Sequence, residues 1–417
     1  MDGPRSSVDP VTTLRALPIP AGEQARAALP ALQAALEGTG PAVLPCAPGG
    51  APPELPAGAV PDEGTALVVG TSGSTGTPKL AMLPAEALGA SADATHDRLG
   101  GPGTWLLAMP PHHIAGVQVM LRCLAAGTEP HFVDLSHGFT TAALTRAVAR
   151  MAATPGPTGA AGGAAPRRYT ALVPTQLVRV LADPEATETL AGLDGVLVGG
   201  AGTPPAVLGA ARARGIRVVT TYGMSETCGG CVYDGEPLRG ALVRTDADGR
   251  LSLGGATLAT GYLDRPDLTA AAFSTDPDGT RWLRTDDVGH RDGAGRWHVD
   301  GRLDDLVNTG GLKVAPRVVE DALTGVVPGV AEAVVVGLPD PEWGQVVAAA
   351  LVLAPGADAP TLTGAREALR GTLPAHALPR HVLVLDAVPL RGPGKPDRRA
   401  VTSLLEADRV ARATMEA

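Results

Sequence analysis

GTSGSTGTPK, from Gly70 to Lys79, is the stretch on which the reading of this chain turns. It follows the apolar run ALVV (66–69), which reads as a strand, and the residues after it predict a helix. Three glycines inside ten residues let backbone N–H groups converge on one concavity, which suits phosphate oxygens. Ser72, Ser74, Thr75 and Thr77 add hydroxyl donors, and Lys79 adds a charge. A Walker A loop needs glycine directly before its lysine, and here Thr77 and Pro78 intervene. The spacing of a dinucleotide fingerprint is absent as well. Spacing alone fits both a phosphate cradle and a flexible Gly/Ser turn.

Outward from this loop the chain alternates strand and helix. TWLLAMP (104–110), TEPHFVD (128–134), YTALVP (169–174), GVLVGG (195–200) and IRVVTTYG (216–223) read as strands. GVQVMLRCLAA (116–126), TTAALTRAVARMAA (140–153), TQLVRVLA (175–182) and PPAVLGAARARG (204–215) read as helices between them. That order predicts an α/β fold with a largely parallel sheet. Before the loop, Gly22–Leu36 reads as a helix interrupted at Pro30. Thr154–Arg168 is low-complexity and reads as a surface loop. After Val232 short alternating runs and Asp-Gly turns predict a small β lobe of hairpins. From Asp304 helices and strands mix again, as in a small α+β domain. The expected division is therefore 1–303 and 304–417.

The chain has 417 residues, 44% hydrophobic, with a formal net charge of −9. That length suffices for two or three domains with large cores. No apolar run is long enough for a membrane span, and the N-terminus lacks the pattern of a secretory signal. The acidic balance argues against a nucleic-acid partner. Four cysteines without an export signal fit a reduced, cytoplasmic protein. Lysine occurs three times, at 79, 313 and 395, against 34 Lys and Arg together. A compact ammonium kept in so arginine-rich a chain invites a specific role for each.

T-S-G-S-T-G-x-P-K resembles the phosphate-loop signature of the acyl-adenylate-forming enzymes, which include acyl- and aryl-CoA ligases, peptide-synthetase adenylation domains and luciferases. Further motifs similar to that family's follow in order across residues 65–400. The resemblance implies a large N-terminal nucleotide domain and a small mobile C-terminal one. ATP, Mg²⁺ and coenzyme A would be bound, and a small carboxylic acid would be activated.

Residue by residue, the resemblance puts phosphates on Thr71, Ser72, Gly73, Ser74, Thr75, Gly76 and Lys79. Gly199, Gly200 and Ala201 would lie against adenine and the acyl group. In TYGMSET (221–227), Tyr222 would stack on adenine with Gly223 beside it at the nucleotide, Ser225 would sit by the phosphates or carboxylate, and Glu226 would hold the metal. TDDVG (285–289) departs from the family's T-G-D-x-G at Asp286. Asp287 matches the acid that takes the ribose hydroxyls. In GRLDDLVNTGGLKVAP (301–316), Arg302 would reach ribose or phosphate and Asp304 would be the hinge. Gly310 and Gly311 would leave room for the pantetheine arm. Lys313 reads equally as a solvated lysine or a CoA contact. In PLRGPGKPDRRA (389–400), Lys395 is the mobile cation that offsets the repulsion between carboxylate and α-phosphate. His112 and His113 of PPHHIAG (110–116) would line the mouth of the acyl pocket with Cys228 and Gly229. Cys228 and Cys231 form a CxxC, which alone reads as a redox pair.

The short chain and the segments PPHHIAGVQVMLR, ALVPTQLVRVL and YGMSETCGGCVYDGEPL resemble the o-succinylbenzoate–CoA ligases of actinobacterial menaquinone biosynthesis. Such a substrate carries a second carboxylate, for which His112, Arg122 and the glycines after Cys228 are candidates. Another aryl- or acyl-CoA ligase, an enzyme loading a separate carrier protein, and a nonenzymatic nucleotide sensor stay open. So does a homodimer.

Overall fold

The computed structural model describes residues 13–49, 59–71, 79–154, 167–390 and 396–416, the last four of these in backbone only. A seven-stranded sheet forms the centre. Across it run Glu236–Pro237, Gly229–Tyr233, Val218–Met224, Gly195–Val198, Arg167–Leu172, Gly103–Leu107 and His131–Phe132. The last five pair in parallel, and the turn into Gly229–Tyr233 makes the sixth strand antiparallel. Parallel strands need crossovers, supplied here by Ile114–Ala126, Thr141–Ala153, Pro174–Leu181 and Pro205–Ala213. Gly195–Val198 is buried throughout, as a strand covered on both faces should be.

A second sheet of Leu14–Pro18, Ala42–Cys46, Thr65–Gly70, Leu80–Pro84 and Gly261–Tyr262 packs beside it. Here the structure corrects the sequence reading. The segment after the Gly/Ser loop is first a strand, Leu80–Pro84, antiparallel to Thr65–Gly70, and only then a helix, Ala85–Leu99. LAML offers four apolar residues in a row, all buried, which a sheet between two layers accommodates. The described residues on either side of the loop thus belong to two antiparallel strands, not to a strand and a helix. Pro30 likewise opens the helix Leu29–Leu36 instead of breaking it, after a 3-10 stretch at Gly22–Ala28. Pro184–Ala191 is a further helix, started by Asp183, whose side chain accepts from Ala186 N at 3.2 Å.

The β lobe expected after Val232 is a five-stranded antiparallel sheet whose longest strand is Arg281–Arg291. Beyond it, Val330–Asp340 and Gly344–Leu353 form a long hairpin with His381–Val384 parallel to its second strand. The helices Pro316–Val326 and Leu362–Leu369 pack on one face of that sheet, and Arg398–Glu416 packs on the other. The two apolar clusters of this unit contain only residues from Val307 onward.

Candidate active site

A cleft of about 2770 Å³ lies between the carboxyl ends of the parallel strands and the small C-terminal unit. Open α/β sheets bind ligands at that edge, because there the chain leaves the strands and exposes its backbone. Gly199 follows Gly195–Val198 into the cleft. A Cβ on it would lie 2.1 Å from Thr221 Oγ1, so no side chain fits. Gly200 next to it has φ +82°, the left-handed region that favours glycine. A Cβ on Gly223 would lie 2.0 Å from the carbonyl oxygen of Gly229. The glycines of these two motifs hold the backbone close enough to form one wall.

Tyr222 lies near the end of the neighbouring strand and donates from its hydroxyl to Asp287 Oδ2 at 2.6 Å. Asp287 is buried, and its own N–H donates to Thr285 Oγ1 at 3.1 Å. Burial holds its carboxyl above the usual range, against the pull of Tyr222 and Arg302. The Tyr222 phenol is pushed well up by burial and by that carboxylate. Arg302 sits 3.6 Å from Asp287 and pairs with Asp304 at 2.8 Å. Its guanidinium is desolvated, yet the Asp304, Asp287 and Asp286 carboxylates hold its pKa above the ordinary value. Asp286, the residue that departs from the family pattern, turns to Arg250 at 2.6 Å and leaves Asp287 its place.

Glu226 is buried under the same wall and accepts from the Tyr262 hydroxyl at 2.8 Å. Burial raises its pKa, while Tyr262 and Lys79 work the other way. Lys79 Nζ lies 5.3 Å from the centre of the Tyr262 ring. Ser225 lines the cleft beside them. Among the described residues no three His, Cys, Asp or Glu side chains cluster as a metal cage. One buried carboxylate is nevertheless what Mg²⁺ uses when substrate phosphates supply its other ligands.

His113 lines the cleft at the start of Ile114–Ala126. His112 is absent from the lining: its ring lies 4.4 Å from that of His113, and its Nδ1 is buried without a hydrogen-bond partner. Gly229 lines the cleft, but Cys228 does not. Its side chain is fully buried, at φ +54°, while its carbonyl accepts from Gln118 Nε2 at 2.7 Å and Ser91 Oγ at 3.2 Å. Burial drives its thiol pKa far up and that of Cys231 to about 12, so neither is a reactive thiolate.

One turn apart on the same helix, Gln118 and Arg122 are buried and reach the cleft. Among the described residues Gln118 Oε1 and Arg122 Nε have no hydrogen-bond partner. The Arg122 guanidinium lies 4.8 Å over Trp105 and donates to Tyr233 Oη at 3.4 Å. Among the described residues it has no carboxylate partner. A buried cation without an anion is costly unless a ligand supplies one.

The small unit closes the cleft with Pro396, Asp397, Arg398 and Arg399. Arg398 pairs with Glu320 at 2.7 Å and Asp305 at 3.1 Å, and donates to Val335 O at 2.6 Å. Gly310 and Gly311 lie outside the cleft, at φ +57° and +79° in a hairpin turn, with Lys313 exposed beside them. Gly200, Ala201, Thr71 and Asp304 do line it. Ser72, Gly73, Ser74, Thr75, Gly76 and Lys395 lie outside the described residues. Sequence reasoning missed Tyr262, Gln118 and Arg317 at this site. Tyrosine is rare here, with four in the chain, and that scarcity was the one signal for Tyr262.

Residues 5–263 match the family model of the AMP-binding enzyme, and residues 318–395 match that of the AMP-binding enzyme C-terminal domain. A probable 2-succinylbenzoate–CoA ligase of Mycobacterium tuberculosis is 46% identical over 392 residues, 93% of this chain and 97% of that protein. A feruloyl-CoA synthase of an Amycolatopsis species is 30% identical, covering 82% of this chain and 70% of its own. Among solved structures, o-succinylbenzoate CoA synthetase from Bacillus subtilis in complex with its acyl-adenylate intermediate superposes with a TM-score of 0.66. It is 26% identical and covers 81% of this chain and 69% of that one. An amide bond synthetase from Marinactinospora thermotolerans superposes with a TM-score of 0.74 at 26% identity, covering 95% of this chain and 90% of its own.

Proposed function

The chain belongs to the AMP-binding enzyme family, and from that premise we propose that it joins 2-succinylbenzoate to coenzyme A through an acyl-adenylate, a step of menaquinone biosynthesis. ATP and the acid give the adenylate and diphosphate; the thiol of CoA then displaces AMP. Arg122 carries the choice of acid: a buried guanidinium lining the cleft, without a carboxylate partner among the described residues, suits a substrate that brings a second carboxylate. The 46% identity to the mycobacterial protein supports the same acid.

The nucleotide end follows from the geometry. Asp287, fixed by Tyr222 and Thr285, offers its remaining oxygen to the ribose hydroxyls. Arg302, beside it, neutralises charge at the same end. Gly199, Gly200, Ala201 and Tyr222 line the same cleft, where adenine would lie. Glu226 would hold Mg²⁺, which when bound offsets the charge of the ATP phosphates. Lys395, next to the Pro396 that borders the cleft, supplies the cation for carboxylate attack on the α-phosphate. We divide the chain at 303/304, where the 3-10 turn Leu303–Asp305 separates the β lobe from the small unit's own core. With Pro396–Arg399 facing the cleft and the 310–313 hairpin turned away, this is the arrangement for the first half-reaction. Rotation about Asp304 would exchange them. A cytoplasmic setting, where ATP and CoA are found, suits this chemistry.

The test is thioester formation with ATP, Mg²⁺, CoA and a panel of acids: 2-succinylbenzoate, benzoate, salicylate and fatty acids. Strong preference for 2-succinylbenzoate is expected. Preference for a monocarboxylic acid would overturn the substrate, and absence of any thioester would overturn the reaction.

A further inference from the structure

The helix Pro316–Val326 of the small unit carries Arg317 on its first turn. The guanidinium crosses the cleft and fills the space that a side chain at position 202 would take. A Cβ built on Gly202 would lie 1.2 Å from Nη1 and 2.0 Å from Cζ. Nη2 donates to the carbonyl oxygen of Thr203 at 3.4 Å, and Nε donates to Asp321 Oδ2, one turn along the same helix, at 3.1 Å. Arg317 is thus braced by its own helix and docked on the turn that continues the adenine wall from Gly199 to Ala201. The contact exists only while this face of the small unit points at the cleft. A rotation that brings the 310–313 hairpin to the cleft must pull it apart.

We propose that Arg317 and the bare backbone at Gly202 form a latch that holds the small unit in the adenylate-forming arrangement and must open before the thiol can attack. The inference rests on the two-step reading above and adds a positioning residue to it. Its chemistry suits a reversible hold. A cation against a carbonyl, partly open to solvent, biases an equilibrium without locking it. Glycine at 202 is what permits so close a dock.

The test uses Arg317→Ala and reads each half-reaction separately: diphosphate release with acid and ATP, and thioester formation from supplied acyl-adenylate and CoA. Adenylation is expected to fall about tenfold while the second half-reaction is unchanged or faster. Gly202→Ala, whose methyl displaces the guanidinium, should act in the same direction, and the double variant should be no worse than the more affected single one. Equal losses in both half-reactions would overturn the latch, as would strictly additive effects.

A second readout needs no acyl substrate. All four cysteines are buried, so spin labels placed through E185C and E342C, both exposed, report the distance between the two units. Arg317→Ala should shift ligand-free enzyme away from the population seen with Arg317 present. An unchanged distribution would overturn the latch whichever acid the enzyme uses. A shifted one beside a failed acid panel would leave the latch standing and remove only the substrate.

Discussion

Tyr222 and Asp287, 65 residues apart in the chain, are joined by a 2.6 Å hydrogen bond from phenol to carboxylate. That bond ties the motif of the adenine wall to the acid of the β lobe. Removing the hydroxyl in Tyr222→Phe leaves the ring in place but takes a charge-favouring donor from a carboxylate that burial already holds above its usual range. In the proposed role Asp287 would be ionised to accept both ribose hydroxyls, and its pKa should rise further in the variant. The acid limb of kcat/KM for ATP should move to higher pH, with a roughly tenfold rise in KM near neutrality. Superimposable pH profiles for the two proteins would show that the bond does not tune Asp287.

Glu226 makes the opposite trade between stability and function. Its folded pKa is raised by burial, so the ionised form costs stability above that pKa and the cost is relieved as pH falls through it. Glu226→Gln keeps the Tyr262 contact and removes the charge. Its melting temperature at pH 8 should equal or exceed that of the wild type, and the gain should shrink as pH falls through the folded pKa. Adenylation should drop about 10²-fold, because the carboxylate that would hold the metal is gone. A lower melting temperature at pH 8 would mean that the carboxylate is structurally required in ligand-free enzyme.

The parallel strands of the central sheet and the glycine-bearing turns were legible because they are local. Alternating apolar runs mark the strands, and Gly199 and Gly223 stand where a backbone must approach closely. What escaped was set by tertiary context. LAML (80–83) reads as the start of a helix by position, and only the buried neighbouring strand makes it a strand. Cys228 lies beside the site in sequence, but a positive φ turns its side chain into the core and its carbonyl toward Gln118. Arg317 gave no signal at all, because its partner is a missing side chain 115 residues earlier.

Arg122 predicts a selectivity rather than an activity. Arg122→Met should lower kcat/KM for 2-succinylbenzoate by about 10²-fold, the scale of removing a buried ionic contact to ligand. 4-Phenyl-4-oxobutanoate keeps the chain and ring but lacks the ring carboxylate, and it should change by less than about threefold. Since the guanidinium has no anionic partner among the described residues, its loss should not lower the melting temperature. Equal losses with both acids would assign Arg122 to packing against Trp105 instead.

Lys395 and Arg398 are three residues apart and should fail in different ways. Arg398 joins Glu320 and Asp305 inside the small unit, and Arg398→Met leaves both carboxylates without their cation. A fully buried pair broken in this way costs about 3–5 kcal/mol; with 26% of this side chain exposed, about 2–3 is expected, seen as a lower melting temperature and a loss in both half-reactions. Lys395→Ala should leave melting and thioester formation from supplied adenylate intact, while adenylation falls by about 10²–10³. The distinction follows from where the charge is needed. Arg398 meets its counter-ions within the fold, whereas Lys395 is assigned to meet its own only when carboxylate and α-phosphate approach each other. A Lys395→Ala protein that lost both half-reactions equally would place that lysine with Arg398, as part of the frame rather than of the chemistry.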